Sequence, residues 1–553
     1  MSMGAMLLSL AGGLGLFLFG MNLMSEAIEK AAGAKLRGIL EMFTRNRFMG
    51  MVVGTIFTAM IQSSSACTVM VVSFVNSGLM SLYQAAGVIF GANIGTTVTS
   101  QLVSFNLSEA APVFVLAGVI GTMFFKKEIV TRVSHIVLGF GVLFMGLSGM
   151  SGAMSGMRDI PQVVNLLTSL DSPLLAILVG CLLTAVIQSS SVTVSIILLM
   201  ANQELLQLPI CLFTILGCNI GACTTALLAS LSGKKDAKRA ALIHFLFNVF
   251  GTILMYVILK LMMGQVVELI HFVSGDNAGR FVANAHTIFK VFQVIVLFPF
   301  AGLLVKMTYL LVPGEDAKVD DRDSFVLEYI GNRSVFNPTT AVVEVKHELQ
   351  RMATLASENL TRAMNALTTL DQEDIDTVYE TEKNINYLNH AITDYLVKIN
   401  QDTLPIEDRR SIGALFHIAN DIERIGDHAE NVADAAVHRK ETGLVFTKEA
   451  QRELGKMLDM VISIIRYSVE MFFTGADQLA GEIERLENAI DNMERKVQKS
   501  HIERLAKGAC SPEASAVFSD LASGLERVAD HATNIAFAMQ NAAGEPERDQ
   551  AAS

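Results

Sequence analysis

Two short runs of identical polar residues stand in otherwise apolar sequence, Gln62-Ser63-Ser64-Ser65 and Gln188-Ser189-Ser190-Ser191. Each sets one amide beside three hydroxyls, with Thr68 following the first and Thr193 and Ser195 the second. Such groups both donate and accept hydrogen bonds. A hydroxyl gives its proton to an oxyanion and its lone pairs to a sodium ion, and the freed N–H groups of an interrupted helix add a positive dipole end. No Lys or Arg lies within residues 48–79 or 173–203, the uncharged stretches around these runs. A multiply charged anion held there would need an accompanying cation to offset its desolvation. Two further runs, at 91–97 and 217–225, join permissive glycines to Asn and Thr oxygens. They make Asn93, Thr96, Thr97, Asn219, Thr224 and Thr225, with Thr68 and Thr193, candidate sodium ligands. The competing use of small and hydroxylated residues in membrane helices is close packing and back-bonding.

The elements that must hold these groups are read from an internal repeat. An offset of 126 residues aligns Gly13, Gly15, Gly20 and Met24 with Gly139, Gly141, Gly146 and Met150, and Gly54 and Thr58 with Gly180 and Thr184. The same offset superposes the two polar runs and pairs Gly91, Asn93, Gly95 and Thr99 with Gly217, Asn219, Gly221 and Thr225. Each uncharged stretch is far longer than the roughly 20 residues that one membrane helix needs, with the polar run at its centre. A broken helix or re-entrant hairpin is expected, since irregular backbone at membrane depth survives only where protein or a cavity surrounds it. Lys30, Lys35, Arg37, Arg45 and Arg47 follow the first span, whereas only Arg158 follows its counterpart. Further basic loops carry Lys126, Lys127 and Arg132, and Lys234, Lys235, Lys238 and Arg239, while the loop at 105–111 has none. The charge bias therefore predicts oppositely oriented copies, with the N-terminus outside and the C-terminal half in the cytosol. Inverted repeats of this kind are typical of secondary transporters, whose sites lie at the repeat interface near the midplane.

Composition divides the chain in the same place. Of its 553 residues, 1–312 hold 17 Lys/Arg and 11 Asp/Glu, whereas 313–553 hold 25 and 43. The first part reads as membrane and the second as soluble. An acidic soluble part disfavours a nucleic-acid partner. The six cysteines lack metal-ligand spacing and read as small buried residues. Residues 1–19 lack a basic start and share the repeat's glycine pattern, so they read as a retained membrane helix and not as a cleaved leader.

The paired Gln-Ser-Ser-Ser runs, each followed 29 residues later by Gly-x-Asn-Ile-Gly, resemble the type II sodium/phosphate cotransporter family in its bacterial form, over about residues 5–311. The resemblance implies phosphate and sodium binding at Gln62 to Ser65 and Gln188 to Ser191, and it supplies the substrate, inorganic phosphate. Composition alone goes no further than a small anion with a cation. Two weaker elements, His244 with Asn248 and His286 with Lys290, stand 42 residues apart. They suit either a transport path or satisfied interior polar residues. The family pattern implies Asn where Lys290 stands, which weakens any role carried over to that position.

Beyond Pro313-Gly314 the chain becomes amphipathic, with apolar spacing such as Leu349, Met352, Leu355, Leu360, Met364 and Leu367, and reads as a helical bundle. It too is duplicated: an offset of 103 places Glu423, Arg424, Asp427, His428 and Asn431 on Glu526, Arg527, Asp530, His531 and Asn534. Glu-x-x-x-Asp sets two carboxylates on one helical face, and facing copies would gather four oxygens around a cation. This pattern is similar to the PhoU family of phosphate-signalling regulators over roughly 335–545. The resemblance implies a six-helix bundle of two three-helix repeats and a divalent or iron-type metal at Glu423, Asp427, Glu526 and Asp530. Buried salt bridges between the repeats are the alternative.

The expected fold is thus all-α: a polytopic membrane domain at 1–312, a linker at 313–334, a PhoU-like domain at 335–545 and a disordered tail at 546–553. Within the membrane domain the first repeat is about 5–125, the second about 131–262 and the final span about 285–311. The expected function is sodium-coupled phosphate transport in a bacterial inner membrane, set by the cytosolic domain. A phosphate exporter or leak pathway, and a membrane-tethered phosphate sensor without transport, remain open. A homodimer or a cytosolic regulatory partner suits each of them. No nucleophile–His–acid set, Walker loop or zinc motif is present, so an enzyme is the least supported class.

Overall fold

The computed structural model describes residues 3–43, 46–76, 78, 80–105, 107–125, 127–158, 160, 172–231, 233–314, 325–330, 338–400 and 406–544. Much of the expected linker, the expected tail, Arg45 and Lys126 lie outside the described residues. Among the described residues the chain is helical and contains no strand. It divides into two compact units, Met1–Asp316 with Gly331–Thr339, and Ala317–Ile330 with Thr340–Ser553.

Among the described residues of the first unit, five helical stretches are long and apolar enough to cross a membrane. Helix α1 (Met3–Phe43) lies against its repeat counterpart α7 (Glu128–Met157). A side chain at Gly13 would strike the backbone at Met150, one at Gly20 the backbone at Leu143, and one at Gly139 the backbone at Met24. The contacts run down one helix as they run up the other, so the pair is antiparallel, and the repeated glycines are where the two backbones touch.

Between them come α2 (Arg47–Ile61), α3 (Ser64–Asn76), α4 (Leu82–Gly95), α5 (Thr97–Ser104) and α6 (Ala111–Phe124). The second copy repeats the pattern as α8 (Pro173–Ile187), α9 (Ser190–Asn202), α10 (Leu208–Gly221), α11 (Thr224–Ser230) and α12 (Lys235–Ser274). Helices α2 and α4 are parallel and close, with Gly87 against Arg47, Gly91 against Met51 and Gly95 against Thr55. Only five residues join the end of α3 to the start of α4, so α3 returns to the level at which α2 began, and α2–α3 is a hairpin. The same register recurs in the second copy, with Gly217 against Ile177 and Gly221 against Cys181. The final expected span starts earlier than 285, as α13 (Ala278–Leu297), and continues through a short turn into α14 (Ala301–Leu311).

Among the described residues, the second unit contains six long α-helices: α15 (Pro338–Thr369), α16 (Gln372–Asn400), α17 (Ile406–Thr442), α18 (Lys448–Thr474), α19 (Ala480–Ala506) and α20 (Pro512–Gly544). Leu349, Met352, Leu355, Leu360, Met364 and Leu367 all enter its core, as their spacing requires. Helices α17 and α20, which carry the two Glu-x-x-x-Asp motifs, pack on each other. The bundle is therefore two three-helix repeats joined along their equivalent third helices.

Candidate functional site

Each hairpin turns at its glutamine. Gln62 and Gln188 hold left-handed backbone, at φ 61° and 59°, and their N–H groups close the preceding helices onto Thr58 and Thr184 carbonyls at 2.8 and 2.7 Å. A non-glycine residue in that conformation costs on the order of 1 kcal/mol, and both copies bear it at the same place. Ser63 and Ser189 then cap the next helices, their hydroxyls accepting from the Ala66 and Val192 N–H groups at 3.1 and 3.4 Å. Helices α3 and α9 thus begin at Ser64 and Ser190, inside the expected site.

The two tips meet. The Ser65 hydroxyl donates to the Gln188 carbonyl at 3.4 Å, and the Thr96 and Ser191 hydroxyls lie 3.2 Å apart in a buried contact. Residues 123 and 95 positions apart in sequence are brought together here, one from each copy.

The copies are not in the same condition. Thr99 donates to the Gln62 amide oxygen at 2.8 Å, and Gln62 is buried. Its counterpart Thr225 has no partner for its hydroxyl among the described residues, and Gln188 is exposed. Thr68, Thr193, Ser195 and Thr97 each donate to a carbonyl of their own chain three or four residues back, leaving their lone pairs as acceptors. Thr224 opens α11. Asn93 donates to the Ile89 carbonyl at 2.8 Å and accepts from Lys290, whereas both amide atoms of Asn219 are buried without a partner.

One expectation is corrected. The Gly-x-Asn-Ile-Gly runs were expected to use glycine for unusual backbone angles, but none of their glycines has a positive φ, which at the two hairpins falls to Gln62 and Gln188, and Thr96 and Ala222 remain right-handed helical. The glycines of these runs let α4 and α10 approach α2 and α8, where any side chain would strike backbone. The breaks after Gly95 and Gly221 interrupt the helices without reversing them.

Thr99, Asn248 and Lys290, which the repeats point out but the candidate ligand set leaves aside, also stand at the site. Lys290 is buried at 2% exposure, and its Nζ donates to Asn93 Oδ1 at 2.6 Å and Asn248 Oδ1 at 2.7 Å. His286, one turn earlier, pairs with Ser100 at 3.0 Å. A charged residue in an apolar span was the available signal, and the Thr99–Thr225 match in the repeat was another.

In the second unit the four expected metal ligands do not form one set of converging oxygens among the described residues. Glu526 and Asp530 converge with Asp491 of α19, their ligand atoms within 4.8 Å of one another. Glu423 and Asp427 instead face Glu382 of α16 together with Glu430. Each Glu-x-x-x-Asp thus finds its acidic neighbours in its own repeat, because the middle helix of each repeat supplies further carboxylates. Burial first, and then the charges of Asp427, Glu430 and Glu423, push the Glu382 carboxyl up to about 8. Both its oxygens lack hydrogen-bond partners among the described residues. Glu423, Glu526 and Asp530 are raised in the same way, by burial and then like charge. Burial and the neighbouring His531 lower His428 to about 4. Between the repeats, His531 Nδ1 meets Asp421 at 2.8 Å in a part-buried hydrogen bond.

Comparison with known proteins falls along the same division. The Na+/Pi-cotransporter family matches residues 16–152 and 157–275, and the PhoU domain matches 349–436 and 454–539. YjbB of Salmonella typhimurium, whose name assigns it provisionally to inorganic phosphate export, is 22% identical over 98% of both chains. YqeW of Bacillus subtilis is 30% identical over 54% of this chain and 96% of its own. A phosphate-specific transport system accessory protein PhoU homolog of Thermotoga maritima is 30% identical over 34% of this chain and 82% of its own.

Proposed function

We propose that this chain, which belongs to the Na+/Pi-cotransporter family and carries a PhoU domain behind its membrane half, moves inorganic phosphate with sodium across a bacterial plasma membrane by alternating access. The observation that carries the reading is the meeting of the two hairpin tips, Ser65 with Gln188 and Thr96 with Ser191. Phosphate binds there to the hydroxyls and amides of Gln62 to Ser65 and Gln188 to Ser191. Sodium is held by Thr and Asn oxygens of the adjoining helices, and the PhoU-like unit sets the activity. A divalent or iron-type cation at the acidic groups of that unit belongs to the same reading.

Support for opposite insertion of the copies comes from where the hairpins open. The Asn76 side chain at the end of the first accepts from the Lys234 N–H at 2.8 Å, beside the start of α12. Asn202 at the end of the second crowds Gly279 at the start of α13, beyond the far end of α12. The basic residues of 234–239 favour the cytosol for the first of these levels. Arg239 donates from there to the Val312 carbonyl at 3.1 and 2.7 Å, so the chain leaves the membrane unit on that side. The closed Thr99–Gln62 contact against the free Thr225 suits a cycle in which the copies exchange conformations.

Sodium-dependent uptake of labelled phosphate into proteoliposomes tests the reading. Ser64→Ala and Ser190→Ala should each cut uptake by about tenfold or more, equivalent to roughly 1.4 kcal/mol of lost binding. Uptake unchanged in both refutes the site. Net export is a second reading, favoured by the name of the relative that matches along the whole chain; efflux from loaded vesicles that ignores sodium selects it.

A further inference from the structure

We infer that the Lys290 ammonium is a resident cation of the transport site, occupying the place between the Asn93 and Asn248 amide oxygens that a mobile cation would otherwise fill. The inference rests on the proposed phosphate transport and deepens it by fixing the cation count.

Lys290 Nζ lies within hydrogen-bond distance of two oxygens, both from neutral amides. No carboxylate pairs with it among the described residues. A buried ammonium without an anionic partner is costly, and such a charge is relieved when an anion enters beside it. The entry point is near: Asn93 and Thr96 are three residues apart on one helical face, about 5–6 Å between Cβ atoms, and Thr96 touches Ser191 of the second polar run.

Two internal comparisons give the ammonium its meaning. The 42-residue correspondence between the His244 and His286 segments sets Lys290 on Asn248, so the amine stands where the other copy of that segment has an amide. The repeat pairs Asn93 with Asn219, which is fully buried with its amide oxygen and nitrogen both unpartnered. One amide of the pair is therefore occupied by a fixed positive charge, and the other keeps a bare oxygen of the kind that ligates a dissolved cation. A phosphate dianion facing one ammonium needs one sodium to reach neutrality, not two.

The experiment counts ions on the full chain in lipid nanodiscs, with labelled sodium and labelled phosphate at equilibrium. Lys290→Gln keeps most of the length and supplies neutral N–H donors in place of the ammonium, removing the charge. One sodium per phosphate in the wild type and two in K290Q is the expected result. Equal counts in the two proteins, or two or more sodium ions per phosphate in the wild type, overturn it. Should K290Q not fold, the wild-type count alone decides: one upholds the inference and two or more end it. Phosphate bound without sodium by the wild type, and with one sodium by K290Q, upholds the resident cation while refuting sodium coupling. If the wild type binds no phosphate, the transport reading fails, and the sodium count without phosphate decides separately: one more ion in K290Q upholds the resident cation, and no increase overturns it.

Discussion

Replacing Glu382 by Gln should remove most of the pH response around α16 and α17. Glu382 is 2% exposed, faces Asp427, Glu430 and Glu423, and titrates at about 8 where an ordinary carboxyl titrates at 4.5. The folded state therefore holds a proton that the unfolded chain has already lost. Stability from this group is fully present below pH 4.5 and is lost as the pH rises through 8. At 1.36 kcal/mol per pH unit, keeping the carboxyl ionised above that point costs on the order of 5 kcal/mol. Amide hydrogen exchange on the full-length protein in detergent, after chelation so that no divalent ion offsets the charge, reads this as local opening of α16 and α17. Wild-type protection, corrected for intrinsic exchange, should fall by roughly two to three decades between pH 5 and 9. Protection in E382Q should fall much less, by the share that the raised Glu423 and Glu430 leave, and should match the wild type at the acid end. Parallel curves for the two proteins would refute the burial and like-charge account of this site.

Two further outcomes follow from contacts in the membrane unit. Thr99→Val removes the 2.8 Å donor to the buried Gln62 oxygen, which should destabilise the first hairpin by about 1–3 kcal/mol; a lowered melting temperature in detergent checks it, and an unchanged one contradicts it. Gly20→Leu forces a side chain onto the Leu143 backbone, whereas Gly12 and Gly15 face open space. The first should abolish a monodisperse peak in size exclusion, while Gly12→Ala and Gly15→Ala should leave it intact.

What could be read from the sequence was whatever repeats. Identical residues at a fixed offset located both hairpins, because a polar run centred in an uncharged stretch too long for one helix has few structural solutions. Heptad-like spacing placed Leu349 to Leu367 in a core for the same reason. Partners were harder. Nothing in the spacing of Gly13 and Gly20 says that they face Gly139 and Gly146, because a close helix crossing depends on both surfaces and sequence shows one at a time. The acidic neighbours were hidden similarly: the offset of 103 revealed the symmetry between Glu423 and Glu526, but Glu382 and Asp491 come from helices with no matching signature. Lys290 was visible as a charge in an apolar span, yet its acceptors lie 197 and 42 residues away.

The two units pose one electrostatic problem with opposite signs. In the membrane half a buried ammonium is held by neutral oxygens alone, beside hydroxyls and amides that can wrap an anion. In the PhoU-like unit, carboxylates crowd until burial and mutual repulsion drive Glu382 toward its protonated form. Neither charge is matched by a close partner within its own unit among the described residues, although each unit forms ion pairs elsewhere, as Arg239 does with Asp236 and Arg351 with Glu348. Fixed partners at these two places would have been simpler for stability, since an unmatched buried charge costs several kcal/mol. The Glu382 carboxyl avoids that cost by holding its proton, and under the proposed transport an anion would supply the missing sign beside Lys290. Occupancy by that ion then changes the local free energy by an amount large enough to bias a conformational equilibrium, which a permanently neutralised site would be unable to do.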